Sequence, residues 1–162
     1  MSPRIRLAEP DELQSVGALT VRAYTHDGGM SPEDRYARIL ADAEDRAERA
    51  ELYIAELAGR IVGTVTVAEH GTPYAEISQS GELEFRMLAV DPEMSGRGIG
   101  SALVEFVAGE ARRRGHQRVV ISVVRGNASA EHLYERLGFV RVPARDWEPV
   151  PGVFLQVSTL AV

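Results

Sequence analysis

The chain has 162 residues, 44% of them hydrophobic and 26% charged, the size and balance of one soluble domain with a single core. Its formal charge of −6 argues against a nucleic-acid partner. No apolar run approaches a membrane span and the first residues lack the apolar stretch of an export signal, so a cytoplasmic protein without membrane contact is predicted. The absence of cysteine excludes disulfides, thiolate metal ligands and a cysteine nucleophile, and the four histidines (His26, His70, His116, His132) lack ligand spacing, so no metal site is expected.

Arg4 to Ala8 alternates polar and apolar residues and predicts a short strand. Glu9-Pro10-Asp11 breaks it and opens a helix with Leu13, Val16, Thr20, Ala23 and Tyr24 on one face. Thr25 to Met30, with Gly28-Gly29, reads as a loop. Ser31 and Pro32 fit the N-cap and first position of a second helix, whose buried stripe would be Tyr36, Ile39, Leu40, Ala43 and Ala47. Glu51–Leu57 and Ile61–Val67 are β-rich runs joined by a hairpin turn at Ala58-Gly59-Arg60. Glu69 to Gly81 is a long polar loop, a length often tied to function, in which Tyr74 and Glu76 face either an acceptor or solvent.

Leu83 to Gly100 organises the rest. It reads as a strand, a turn at Asp91-Pro92, a glycine-rich loop and the first turn of a helix. Gly96, Gly98 and Gly100 alternate, which removes the Cβ atoms that would hold an anion away from the backbone. The peptide N–H groups of a helix N-terminus then point outward, where their dipole favours negative charge, and Arg97 adds a positive one. That is a phosphate cradle. It lacks the lysine followed by Ser or Thr of a nucleoside-triphosphate loop, and its third glycine comes one place early for a dinucleotide fingerprint. The helix continues with Ile99, Leu103, Phe106, Val107 and Ala111 on one face and ends at Arg112-Arg113-Arg114-Gly115, where basic residues complement the helix dipole and glycine suits a left-handed cap. Arg118–Val124 is the next strand, so strand, helix and strand form a right-handed parallel crossover. A helix from about Ala128 to Leu137 buries Ala130, Leu133, Tyr134 and Leu137, and Phe139–Pro143 and Val153–Leu160 read as a closing pair of strands.

Two blocks carry a family resemblance. Leu88-Ala89-Val90-Asp91-Pro92 followed by Ser95-Gly96-Arg97-Gly98-Ile99-Gly100 resembles the signature of the GNAT superfamily of acyl-CoA-dependent N-acetyltransferases, a strand L-A-V-D-P followed by Q/R-x-x-G-x-G/A, with Ser95 where Gln or Arg is usual. Asn127 to Phe139 resembles the same family's N-x-x-A-x-x-L-Y-x-x-x-G-F. The resemblance implies an α/β fold over residues 1–162 as one domain: a mixed, mostly antiparallel sheet of about seven strands flanked by about four helices, with one parallel crossover forming the acyl-CoA site.

It also implies a chemistry. Acetyl-CoA would be the co-substrate, its pantetheine along Leu88, Ala89 and Val90 and its pyrophosphate on Ser95, Gly96, Arg97, Gly98, Ile99, Gly100 and Ser101, with Asn127 a further contact. A backbone N–H near Leu88 would face the thioester oxygen. Tyr134 would contact the cofactor and protonate the departing thiolate, although its spacing fits a buried helix stripe equally well. Glu84, with Glu82 as second choice, would take the amine's proton, or else be a solvated charge at a strand's start. The two N-terminal helices would form one wall of the acceptor pocket. With no cysteine to carry the acyl group, transfer to an amine would be direct, through a ternary complex; a non-catalytic acyl-CoA-binding sensor is the alternative. Net negative charge would suit a polyamine, an aminoglycoside or a basic peptide at long range, and a homodimer is compatible with the resemblance.

Overall fold

The computed structural model describes residues 2–26 and 30–162. The chain enters as β1 (Arg4–Leu7), α1 (Leu13–Thr25), α2 (Arg35–Ala41) and α3 (Ala43–Arg49). It continues through β2 (Glu51–Leu57), β3 (Arg60–Glu69) and β4 (Glu82–Val90), then α4 (Ile99–Arg113) and β5 (Arg118–Val124). It closes with α5 (Ala128–Arg136), β6 (Val140–Arg141), β7 (Trp147–Val150) and β8 (Val153–Ala161). The strands form one sheet in the order β1-β2-β3-β4-β5-β8-β6, with β7 also paired to β8. β4 and β5 are parallel, and the other strand pairs are antiparallel. None of the described helices is long and apolar enough to cross a membrane.

Alternation along each strand divides its residues between two cores. Tyr53 and Ala55 of β2, Val65 and Val67 of β3 and Leu83 and Phe85 of β4 join Leu103, Val104, Val107 and Ala111 of α4 in the larger one. Leu52 and Ile54 pack instead with Val16 of α1 and Ala43 of α3. Gly63 lets α4 lie directly on β3, because a Cβ there would stand 3.0 Å from both Ile99 Cγ2 and Leu103 Cδ1.

The expected architecture is present, with one more strand and one more helix than anticipated. The second predicted helix is two. Ser31 bonds Glu33 within a preceding turn, and the Asp34 carboxylate caps α2 by accepting the Tyr36 N–H. Asp42 then breaks the helix and caps α3 by accepting the Asp45 N–H at 3.1 Å. The break turns Ile39 outward, to 46% exposure, while Leu40 and Ala43 of the predicted stripe stay buried, Tyr36 and Ala47 pack against the cores, and Ala37 and Arg46 join the buried side. The extra strand is β7, a hairpin partner of β8 held over β5 by the Trp147 indole, which donates to Ser122 Oγ. Gly28-Gly29 of the predicted first loop lies outside the described residues.

Glu82 fastens the paired end of β4 and β5. Its buried carboxylate accepts both Arg145 Nη atoms at 2.9 Å, Arg118 Nε at 3.0 Å and the Gln79 N–H at 2.9 Å. Burial alone would raise this carboxyl, but the bonds from Arg145, the Gln79 N–H and Arg118 outweigh it and hold it down to about 2. A carboxyl depressed in the folded state lends stability above its ordinary value and loses it as the pH falls toward the folded value. Glu82→Gln strands two arginines and is expected to cost about 3–5 kcal/mol at neutral pH. That deficit should shrink between pH 4.5 and about 2. Denaturant unfolding at neutral pH and near pH 2 checks this, and an equal deficit at both contradicts it.

Candidate functional site

The sheet opens into a wedge. β4 and β5 pair only where Glu82–Glu84 lie beside Arg118–Val120. Beyond Glu84, β4 keeps β3 on one side and has no strand partner on the other among the described residues. A bulge lies in the open stretch: Thr66 pairs Arg86 and Thr64 pairs Ala89, so Val65 alone opposes Met87 and Leu88. Met87 takes φ 54°, a left-handed conformation that a non-glycine residue adopts only at a cost on the order of 1–3 kcal/mol. The extra residue resets the alternation: Phe85 and Leu88 face the larger core, Met87 the opposite one.

At the mouth of the wedge lies the N-terminus of α4. Gly96 and Gly98 sit at φ 79° and 77°, and an added Cβ would meet no atom within 4 Å at either. Among the described residues, no protein acceptor takes the N–H groups from Gly96 to Ser101. Ser95 and Arg97 are exposed beside them, and Ile99 is buried and anchors the turn. Gly100 differs from the other two glycines: a Cβ there would pack 3.4 Å from Leu133 Cδ2 and 3.7 Å from Val90 Cγ2. Its role is the approach of α5 rather than anion access. Asn127 caps α5 by accepting the Ala130 N–H at 3.2 Å, so its side-chain oxygen is already engaged. An anion with several oxygens fits this loop, since only such a group satisfies several converging donors at once.

Tyr134 occupies the inner end. Its ring meets Phe139 and Phe85 edge-on, with centroids at 5.4 and 5.9 Å. Its hydroxyl has no hydrogen-bond partner among the described residues, and burial pushes the phenol further above its ordinary value. It therefore holds its proton throughout the neutral range. A protonated phenol here is compatible with packing and with proton donation alike.

The opposite face of β4 carries Glu82, Glu84 and Arg86 in strand alternation. Glu84 is buried, and its carboxylate accepts the N–H groups of Glu76, Ile77 and Ser78, each at 3.0 Å. The structure thus engages Glu84 in shaping the β3–β4 loop, and Glu82 in the ion cluster described above. The loop so held presents Glu76, whose carboxylate stands 3.2 Å from Arg86 Nη2 with its side chain 38% exposed. Partial burial raises the Glu76 carboxyl, Arg86 opposes the rise, and Glu84 adds to it. Arg86 Nη2 also lies 3.5 Å from the Tyr36 hydroxyl, Nη1 3.4 Å from the Tyr74 carbonyl, and the guanidinium 5.7 Å from the Tyr74 ring centre.

The cradle residues lie at the mouth of the wedge, and Tyr134 packs on Phe85 of β4 at its inner end. Glu82 and Glu84 lie at its closed end. Arg86 was not singled out from sequence, although a third ionisable residue in alternation with Glu82 and Glu84 on an otherwise apolar strand was a usable signal.

Residues 13–139 match the family model described as "Acetyltransferase (GNAT) family". The mycothiol acetyltransferase of Propionibacterium freudenreichii subsp. shermanii is 32% identical over 136 residues, covering 80% of this chain and 40% of the relative. The chain spans less than half the length of the mycothiol acetyltransferases it matches. Among solved structures, the PaiA N-acetyltransferase of Thermoplasma acidophilum in complex with coenzyme A aligns over 99% of this chain and 100% of its own, with TM-score 0.75 and 17% identity. The ribosomal-protein-S18-alanine N-acetyltransferase of Escherichia coli aligns over 99% and 94%, with TM-score 0.71 and 22% identity. These two likenesses establish the shared fold.

Proposed function

The chain belongs to the acetyltransferase (GNAT) family, and on that premise we propose that it transfers the acetyl group of acetyl-CoA directly to an amine. The observation that carries this reading is the row of unpaired N–H groups from Gly96 to Ser101 at the mouth of the unpaired edge of β4. A pyrophosphate satisfies the first and the amides of a pantetheine arm the second. Leu88, Ala89 and Val90 line that edge. Catalysis is favoured over a passive acyl-CoA sensor by Tyr134, a protonated phenol with no internal partner among the described residues, placed beside the strand that would hold the thioester.

In the proposed reaction the neutral amine forms a C–N bond to the acetyl carbon, the C–S bond breaks, and the sulfur takes the proton of Tyr134, which solvent restores. The amine's own proton passes to Glu76, the exposed carboxylate of the loop, rather than to Glu84, whose oxygens already accept peptide N–H groups. Glu84 acts in this reading as a positioning residue for Glu76.

Gly98→Val places a β-branched side chain at φ 77°, in the open space over the cradle, and should abolish acetyl-CoA binding. Gly100→Ala, which only adds contacts to Leu133 and Val90, should keep it. Calorimetry on the folded variants checks the pair, and unchanged affinity in Gly98→Val removes the cradle assignment. Tyr134→Phe retains the ring contacts and should leave acetyl-CoA affinity intact while slowing turnover by on the order of 10²-fold; equal turnover at every pH returns Tyr134 to a packing role. Glu76→Gln should lower kcat/KM at neutral pH, with recovery as pH rises, whereas Glu84→Gln, which loosens the loop, should act mainly through a higher acceptor KM. Alkaline recovery in Glu84→Gln but not in Glu76→Gln would instead make Glu84 the base.

A further inference from the structure

We propose that the acceptor is a free α-amino acid whose carboxylate is taken by Arg86 and whose amino group is taken by Glu76. The inference rests on the transferase reading and names the substrate of that site. Arg86 carries five donors in a planar fork suited to a carboxylate. Its side chain is only 19% exposed, and its contacts are loose: 3.2 Å to Glu76, 3.4 Å to the Tyr74 carbonyl and 3.5 Å to the Tyr36 hydroxyl. Thr66, paired directly across from Arg86, has a buried hydroxyl without a partner. A second polar group is thus left for a ligand to satisfy on the same face of the sheet. Arg86 lies two residues before Leu88 on β4, the strand that would hold the thioester.

Charge accounting selects the class. A zwitterion displaces the Glu76–Arg86 pair and gives each partner a new one, the carboxylate to Arg86 and the ammonium to Glu76. No half-buried charge is left alone. A polyamine or aminoglycoside offers Glu76 a cation but leaves Arg86 without an anion, the arrangement that is costly in a partly desolvated site. The net charge of −6 acts at long range and is screened, whereas Arg86 acts at contact. In the transfer, the bound ammonium first loses one proton to solvent through Glu76, the freed nitrogen pair forms the C–N bond, the nitrogen's second proton passes to Glu76, and the C–S bond breaks as Tyr134 protonates the sulfur and is restored by solvent.

The test measures CoA release with the twenty proteinogenic L-amino acids, their α-amides and spermidine, alongside acetyl-CoA calorimetry. At least one amino acid should exceed its own amide in kcat/KM by about 10²-fold or more, because a site built for a group rejects the analogue lacking it. Arg86→Gln should collapse that ratio to a few-fold by raising the KM of the acid, and Arg86→Lys should retain part of it. The ratio compares two substrates on one protein, so partial loss of folded enzyme does not affect it. The proposal falls if spermidine or an amide is used as well as any amino acid, if no amino acid is acetylated, or if the ratio survives Arg86→Gln. Failure of acetyl-CoA to bind overturns the transferase reading itself; binding with turnover of spermidine alone leaves that reading standing and removes this one.

Discussion

The left-handed Met87 is the constraint on which the site depends. One extra residue on β4 opposite Val65 offsets the strand's side chains, so that Phe85 and Leu88 both face the larger core while Met87 faces the other. Pairing to β5 ends just before it, at Glu84. The bulge lies within the stretch of β4 that β5 leaves open, where a backbone edge remains to receive an extended ligand. The strain at φ 54° is supported on both sides, by Phe85 packed on Phe139 and Tyr134 and by Met87 packed with Leu40, Ala68 and Tyr74.

The closed end of the wedge is held by charge. Glu82 gathers Arg145 and Arg118, and Glu84 gathers three peptide N–H groups from the loop between β3 and β4. Arg145 also donates to the Ile77 carbonyl at 2.7 Å, so one cation ties the same loop to the segment before β7. These buried carboxylates are retained at a desolvation cost that only complete hydrogen bonding offsets. Their product is geometric: a long polar loop becomes a fixed wall, with Glu76 beside Arg86, which in turn lies near the Tyr36 hydroxyl of α2.

Much of this was legible in the sequence because it depends on local chemistry. Gly96 and Gly98 declare a loop with positive φ ahead of a helix, and Leu133-Tyr134 with Gly138-Phe139 declares the second block. The parallel crossover from β4 through α4 to β5 follows from apolar runs and their spacing, and the mostly antiparallel sheet from the family resemblance. What escaped is tertiary. The break at Asp42 uses a side chain that fits a helix interior or a cap, and the neighbouring packing decides between them. β7 contains Pro149, which reads against a strand and is tolerated because β7 pairs with β8 along a sheet edge. No signal marks Met87 as left-handed. The burial of Glu84 escaped for the same kind of reason: a glutamate at a strand's start gives no sign, from sequence alone, that a loop eight residues upstream will fold over it.

The wedge as cofactor site is the central claim, and amide hydrogen exchange followed by mass spectrometry tests it most directly. On addition of acetyl-CoA, protection should rise in two stretches, the unpaired N–H groups from Gly96 to Ser101 and the open edge of β4 from Leu88 to Val90, while β1 and β2 remain unchanged. Saturating acetyl-CoA that leaves both stretches exchanging as in the free protein, or that protects a different surface, would contradict the account.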